Sequence, residues 1–157
     1  MKKILYLAAI VAASFSLYSC DDHADIPDVD FNVSISGGVF DNNTIYVVRG
    51  NTLSIDNVQV VNNESGKGVT LPYVNYYLNH QFMGQNSEEP YGFEITFPES
   101  MILGKYVLEI TAPVFAVDKE PGYAVLTYNI KLVESADDVP SGGVQNFVST
   151  PSVTEAD

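Results

Sequence analysis

Between Ala124 and Val133 every second residue falls on the same side of the chain. Ala124, Leu126, Tyr128, Ile130 and Leu132 alternate with Val125, Thr127, Asn129, Lys131 and Val133. Successive side chains of a strand point to opposite faces, so a period of two demands a β-strand with one buried face. The same period recurs upstream. Phe31, Val33 and Ile35 lead to a Gly37-Gly38 break, then Ile45 and Val47, then Leu53 and Ile55 in a run that extends toward Val58 and Val60. Val74, Tyr76 and Leu78 share one face of a fourth run, Phe93, Ile95 and Phe97 of a fifth, and Tyr106, Leu108 and Ile110 of a sixth. About seven short strands in roughly 100 residues, rich in Val, Ile, Tyr, Phe and Thr, predict an all-β sandwich over residues 31–134. No window carries a helical period; Pro98 to Leu103 has room for one short turn.

Within that pattern, Val74-Asn75-Tyr76-Tyr77-Leu78-Asn79-His80-Gln81-Phe82-Met83-Gly84 and then Pro90-Tyr91-Gly92-Phe93 resemble the bacterial immunoglobulin-like domains of cell-surface and glycan-degrading proteins. Gly104-Lys105-Tyr106, followed by Val107 to Ala112, is similar to the start of the strand that pairs with the last one in those domains. The resemblance implies an immunoglobulin-like antiparallel β-sandwich of about seven strands. It also makes Tyr106 a candidate tyrosine corner, with the ring buried and the hydroxyl bonded to nearby backbone. His80 stands where that family's turn carries glycine; Asn79 and His80 both tolerate the positive φ such a turn needs.

The two ends lie outside the alternating region. Lys2 and Lys3 precede Ile4 to Leu17, an uncharged stretch of 14 residues, against the roughly 20 that a spanning helix needs. Leu17-Tyr18-Ser19-Cys20 resembles the lipobox of bacterial lipoprotein signals, with an aliphatic residue three before the cysteine and a small one just before it. The resemblance implies diacylglyceryl transfer to Cys20, cleavage before it (a signal peptide of residues 1–19) and acylation of the new amino terminus. Several acyl chains, each burying CH₂ groups at about 0.8 kcal/mol apiece, make a stable anchor. Residues 20–30 carry five aspartates in the ten positions after Cys20 and read as a solvated acidic tether. Asp21 and Asp22 resemble the export signal of Bacteroides-type surface lipoproteins. An aspartate in this place is also the inner-membrane retention signal of enteric bacteria, but the acidic run is longer than retention needs. The expectation is therefore an outer-membrane protein facing the cell exterior. Residues 135–157, rich in Ser, Gly, Pro, Val and Thr, are expected to form a flexible tail, with Val144 to Val148 as a possible short strand.

Charge limits the partners. The chain has 7 basic and 20 acidic residues, a net charge of −13. Cleavage before Cys20 removes Lys2 and Lys3, and most of the remaining excess acid lies in the tether and the tail. A surface of this sign repels phosphate backbones, so nucleic acid is not an expected partner. A single cysteine excludes an internal disulfide and a cysteine-built zinc site. The aspartates after Cys20 lack the spacing of an EF-hand loop.

Catalytic ingredients are few. His23 lies in the tether and His80 in a predicted turn, with no nucleophile motif near either. The acids Glu88-Glu89 and Asp118/Glu120 are placed in loops, with no cleft evident between two of them as glycoside hydrolysis requires. No catalytic residue, cofactor or metal is assigned. The ten tyrosines and eight phenylalanines, in a chain without tryptophan, offer a different chemistry. Tyr76 and Tyr77 must face opposite ways in a regular strand, and Tyr77, Phe82 and Tyr91 are candidates for an exposed ligand or interface patch. The expected function is a non-catalytic binding or structural module of a lipid-anchored protein, with a protein or glycan partner. A carbohydrate-binding accessory lipoprotein is the alternative, and a small hydrolase a more distant one.

Overall fold

The computed structural model describes residues 26–63, 68–150 and 154–155. The expected signal segment, Cys20, Asp21 and Asp22 lie outside the described residues. Eleven strands are present among those described: β1 (Val29–Asp41), β2 (Thr44–Val48), β3 (Thr52–Asn62), β4 (Val69–Thr70), β5 (Val74–Leu78), β6 (Gln81–Asn86), β7 (Phe93–Thr96), β8 (Gly104–Ala116), β9 (Gly122–Val133), β10 (Val144–Ser149) and β11 (Thr154–Glu155). A single 3₁₀ turn, Ala136–Asp138, follows β9. The seven strands expected from periodicity are β1, β2, β3, β5, β7, β8 and β9.

The main hydrogen-bonded path runs β6-β5-β8-β9-β2-β1-β3-β7. Pairing is antiparallel throughout except where β2 runs parallel to β9, Thr44 beside Asn129 through Val48 beside Val133. The path folds back on itself. Tyr76 of β5 stacks on Phe93 of β7, ring centroids 4.5 Å apart, although these strands stand near opposite ends of the path. Two layers therefore face each other, β6-β5-β8-β9 on one side and β1-β3-β7 on the other. Between them lies one core that includes Phe31, Ile55, Tyr76, Leu108, Leu126 and Ile130. This is an immunoglobulin-like β-sandwich. Its core is filled by the alternating positions, because only a face turned to the opposite layer can leave water.

Strand β1 joins the layers. Its residues 29–36 pair with β3 and residues 39–41 pair with β2, so the strand changes partner at Gly37-Gly38. Gly37 makes this bend possible: its φ is +80°, and a Cβ there would collide with the Thr52 carbonyl.

Two further strands stand outside the seven: β10 falls on the short strand allowed for at Val144 to Val148, and β6 on no alternating run. β10 is part of the supposed tail, yet it pairs antiparallel with β1. Residues of β1 that already pair with β3 or β2 also pair with β10, so β10 occupies the opposite edge of β1. Phe147 anchors it, 7% exposed and stacked on Phe40 at 4.5 Å. Tyr128 and Ser149 share a hydrogen bond of 2.8 Å that ties the end of β10 to β9. The segment lacked a visible period because one residue, Phe147, is buried in the whole strand. β6 was hidden for a related reason. It is an edge strand whose side chains are mostly exposed, so no face had to be apolar.

Candidate functional site

Two surfaces of the described residues have the shape or chemistry of a binding site. The first is the β5–β6 hairpin. Asn79 and His80 both adopt left-handed φ, +50° and +63°, and form a tight two-residue turn. His80 thus keeps the turn without the glycine, and its Nδ1 lies 2.7 Å from Glu109 Oε2 on β8. Among the described residues no hydroxyl or thiol hydrogen-bonds to this ring, so the pair is a surface contact without a nucleophile. The hairpin register slips between Tyr76–Gly84 and Tyr77–Phe82, which leaves Met83 as the extra residue of a bulge. Phe82 is 56% exposed and Met83 41% exposed, and the Tyr77 ring meets Phe82 edge-on at 5.5 Å. Tyr77 and Phe82 are therefore together, on the outermost strand of the path.

Tyr91 does not join them. It is 7% exposed, and its hydroxyl donates to the Leu71 carbonyl at 2.6 Å. Its own carbonyl accepts the Tyr76 hydroxyl. Tyr91 is corrected from a surface candidate to a core residue. Its position after Pro90 suggests an exposed turn, whereas a φ of +59° redirects the chain there. Burial, followed by the Glu89 charge, raises the pKa of its hydroxyl. Tyr106 donates to the Ile102 carbonyl at 2.6 Å, the backbone bond that defines a tyrosine corner, while its half-buried ring meets Phe97 edge-on.

The second surface was not foreseen. Where β1 changes partner, the β1–β10 ladder also opens. It is intact at Ile35–Phe147 and again at Val39–Gln145, with Ser36, Gly37 and Gly38 on one strand and Asn146 on the other left between. Asn146 takes a left-handed φ of +51°, uncommon for a side-chain-bearing residue. Beside this split lies a groove of about 670 Å³, walled by Gly37 to Val39, by Tyr46 and Val48 of β2, by Asn51, and by residues of the 136–146 segment. The Lys131 Nζ lies 5.5 Å from the Tyr46 ring centroid. The sequence held one signal of this site, the Gly37-Gly38 break. The opposite wall comes from the far end of the chain, so periodicity could not connect the two.

Among the described residues no three His, Cys, Asp or Glu side chains converge as a metal would require. No protein-family model matches the chain, and no curated protein matches it. Among solved structures, the fibronectin(III)-like modules of Clostridium thermocellum CbhA align with 69% of this chain at 13% identity and a TM-score of 0.38. The chain spans half the length of that structure. The fold assignment accordingly stands on the strand order and core of this protein itself.

Proposed function

We propose that this chain is an outer-membrane lipoprotein facing the cell exterior, held by lipid on Cys20, whose sandwich acts without catalysis by binding an extended segment of another protein along β6. Leu17, Ser19 and Cys20 support the anchor, and the aspartates after Cys20 support the placement. The observation that carries the binding reading is the pair Phe82 and Met83, both exposed, on a strand that pairs on one side only, with β5, among the described residues. An open edge offers unpaired N–H and C=O groups to an added strand. Gln81 to Asn86 contains no charge, so nothing on this edge opposes a partner strand, and Tyr77, Phe82 and Met83 provide the aromatic and thioether contacts enriched at interface centres.

A photo-crosslinking residue placed at position 82 in the full-length protein on intact cells tests this. A discrete protein adduct is expected, lost when Met83→Lys adds a charge to the edge and absent when the crosslinker sits at Val148 on β10. No adduct, or equal adducts from both positions, overturns the reading. For the anchor, Cys20→Ala is expected to abolish palmitate labelling and release the protein from membranes, and continued labelling refutes it. Protease added to intact cells is expected to remove the sandwich; its survival places the domain inside.

A further inference from the structure

We propose that the groove between the β1 bend, β2 and the 136–146 segment binds a neutral, hydroxyl-rich ligand, a short stretch of polysaccharide. This site is separate from the β6 edge and does not depend on it.

The argument begins with chemistry. The polar side chains in the wall are Tyr46, Asn51, Asp137, Ser141, Gln145 and Asn146, with no Lys or Arg among the lining residues. The Asp137 carboxylate in the wall disfavours a phosphate or a carboxylate ligand, and Lys131, which is not among the lining residues, lies over the Tyr46 ring. Three primary amides, by contrast, each offer two donor hydrogens and an acceptor oxygen. That dual character is what an array of hydroxyl groups requires, since each hydroxyl both donates and accepts. Asp137 adds two acceptor oxygens. Its neighbour Asp138 is already committed, accepting from the Ser135 amide and hydroxyl at 3.1 Å. Asp137 and Gln145 have exposed side chains that line the groove.

Geometry points the same way. Tyr46 gives an aromatic ring, whose negative face attracts the weakly positive C–H groups of a sugar ring. Gly37 and Gly38 fall in the gap of all three registers of β1, since pairing with β3 ends at Ser36 while pairing with β2 and β10 resumes at Val39. The absent side chains let β1 bend tightly against Thr52, Ile45 and Leu53, and this bend forms one wall of the groove. Asn146 lies across the split in a left-handed backbone conformation that asparagine tolerates. The volume of about 670 Å³ is that of a small-ligand site and accommodates a few sugar units.

The test is a ¹H–¹⁵N NMR titration of the full-length protein in detergent micelles with cellohexaose, maltohexaose, xylohexaose and chitohexaose, carried to millimolar concentration. At least one hexaose is expected to shift the amides of Gly37, Gly38, Gly143 and Asn146 saturably. The exposed double substitution Asp137→Asn, Gln145→Ala is expected to weaken that binding about tenfold while leaving the remaining spectrum unchanged, and Tyr46→Ala to abolish it. Phe82→Asp, on the β6 edge, is expected to leave sugar binding intact. The proposal is overturned if none of the four sugars shifts these amides. It is equally overturned if the shifts map to Phe82 and Met83 instead, if the double substitution has no effect, or if a trilysine peptide rather than a sugar fills the groove.

Discussion

The Tyr76 hydroxyl donates to the backbone carbonyl of Tyr91, and the Tyr91 hydroxyl donates in turn to the carbonyl of Leu71. This relay fastens β5 to the loop that precedes β7 and to the segment that precedes β5, all within the core. Each hydroxyl meets an acceptor, and two backbone carbonyls that burial would otherwise leave unpaired are satisfied.

Tyr76→Phe removes the donor but leaves the Tyr91 carbonyl buried. The expected loss is about 1–3 kcal/mol, the cost of an unmet polar group, read from the urea midpoint. Phe82→Ser, on the exposed edge, is expected to change stability by no more than about 0.5 kcal/mol. Equal effects from the two substitutions contradict the assignment of Tyr76 and Tyr91 to the core.

Phe147 is the residue that turns the C-terminal segment into part of the sandwich. Phe147→Ala deletes the ring that stacks on Phe40, and large-to-small changes at buried phenylalanines cost about 3–5 kcal/mol. Because β10 lies at an edge, the first expected consequence is local. Amide hydrogen exchange should accelerate at Val33 to Phe40, the stretch of β1 that β10 covers. Unchanged protection there refutes the docking of β10.

Gly37 is required by conformation and by space. Gly37→Ala places a Cβ against the Thr52 carbonyl at a φ of +80°. The left-handed conformation alone costs about 1–2 kcal/mol for a residue with a side chain, and the collision with backbone adds to it. Gly142→Ala meets open space and serves as the control. A fall in Tm for the first and not the second is the expected thermal-melt result.

Alkaline pH acts on the buried tyrosines, most strongly on Tyr76 and Tyr128. Burial pushes the Tyr128 hydroxyl up to about 12, against a smaller lowering by Ser149, and burial raises Tyr76 further. Both folded values exceed the ordinary 10 of an unfolded tyrosine, so folding favours the neutral form. Their contribution to stability is complete below about pH 10 and is lost as the pH climbs through 12 and beyond. Tyrosinate absorbance and circular dichroism followed together should show these two hydroxyls ionising only as the fold is lost. Full ionisation of every tyrosine near pH 10 in a folded protein contradicts the burial of Tyr76 and Tyr128.

Residues such as Ile55, Leu108 and Ile130 were legible because a strand packed on one face writes its burial into the sequence with a period of two. Tyr77 and Phe82 were also legible as neighbours, since a two-residue turn returns one strand beside the other. Tyr91 was not, because nothing local distinguishes a turn residue that faces water from one whose ring enters the core. The hydrogen bond to Leu71 that makes burial tolerable is formed by a residue 20 positions away.

The amino-acid sequence by itself determined the class of element and the apolar face of each main strand, both properties written in near neighbours. The tertiary structure alone decided that β10 seals the edge of β1, that Tyr91 belongs to the core and that Gly37 and Asn146 face each other across a split ladder. Those outcomes depend on long-range pairing, in which a residue's partner is chosen by the path of the whole chain and leaves no periodic trace at either end.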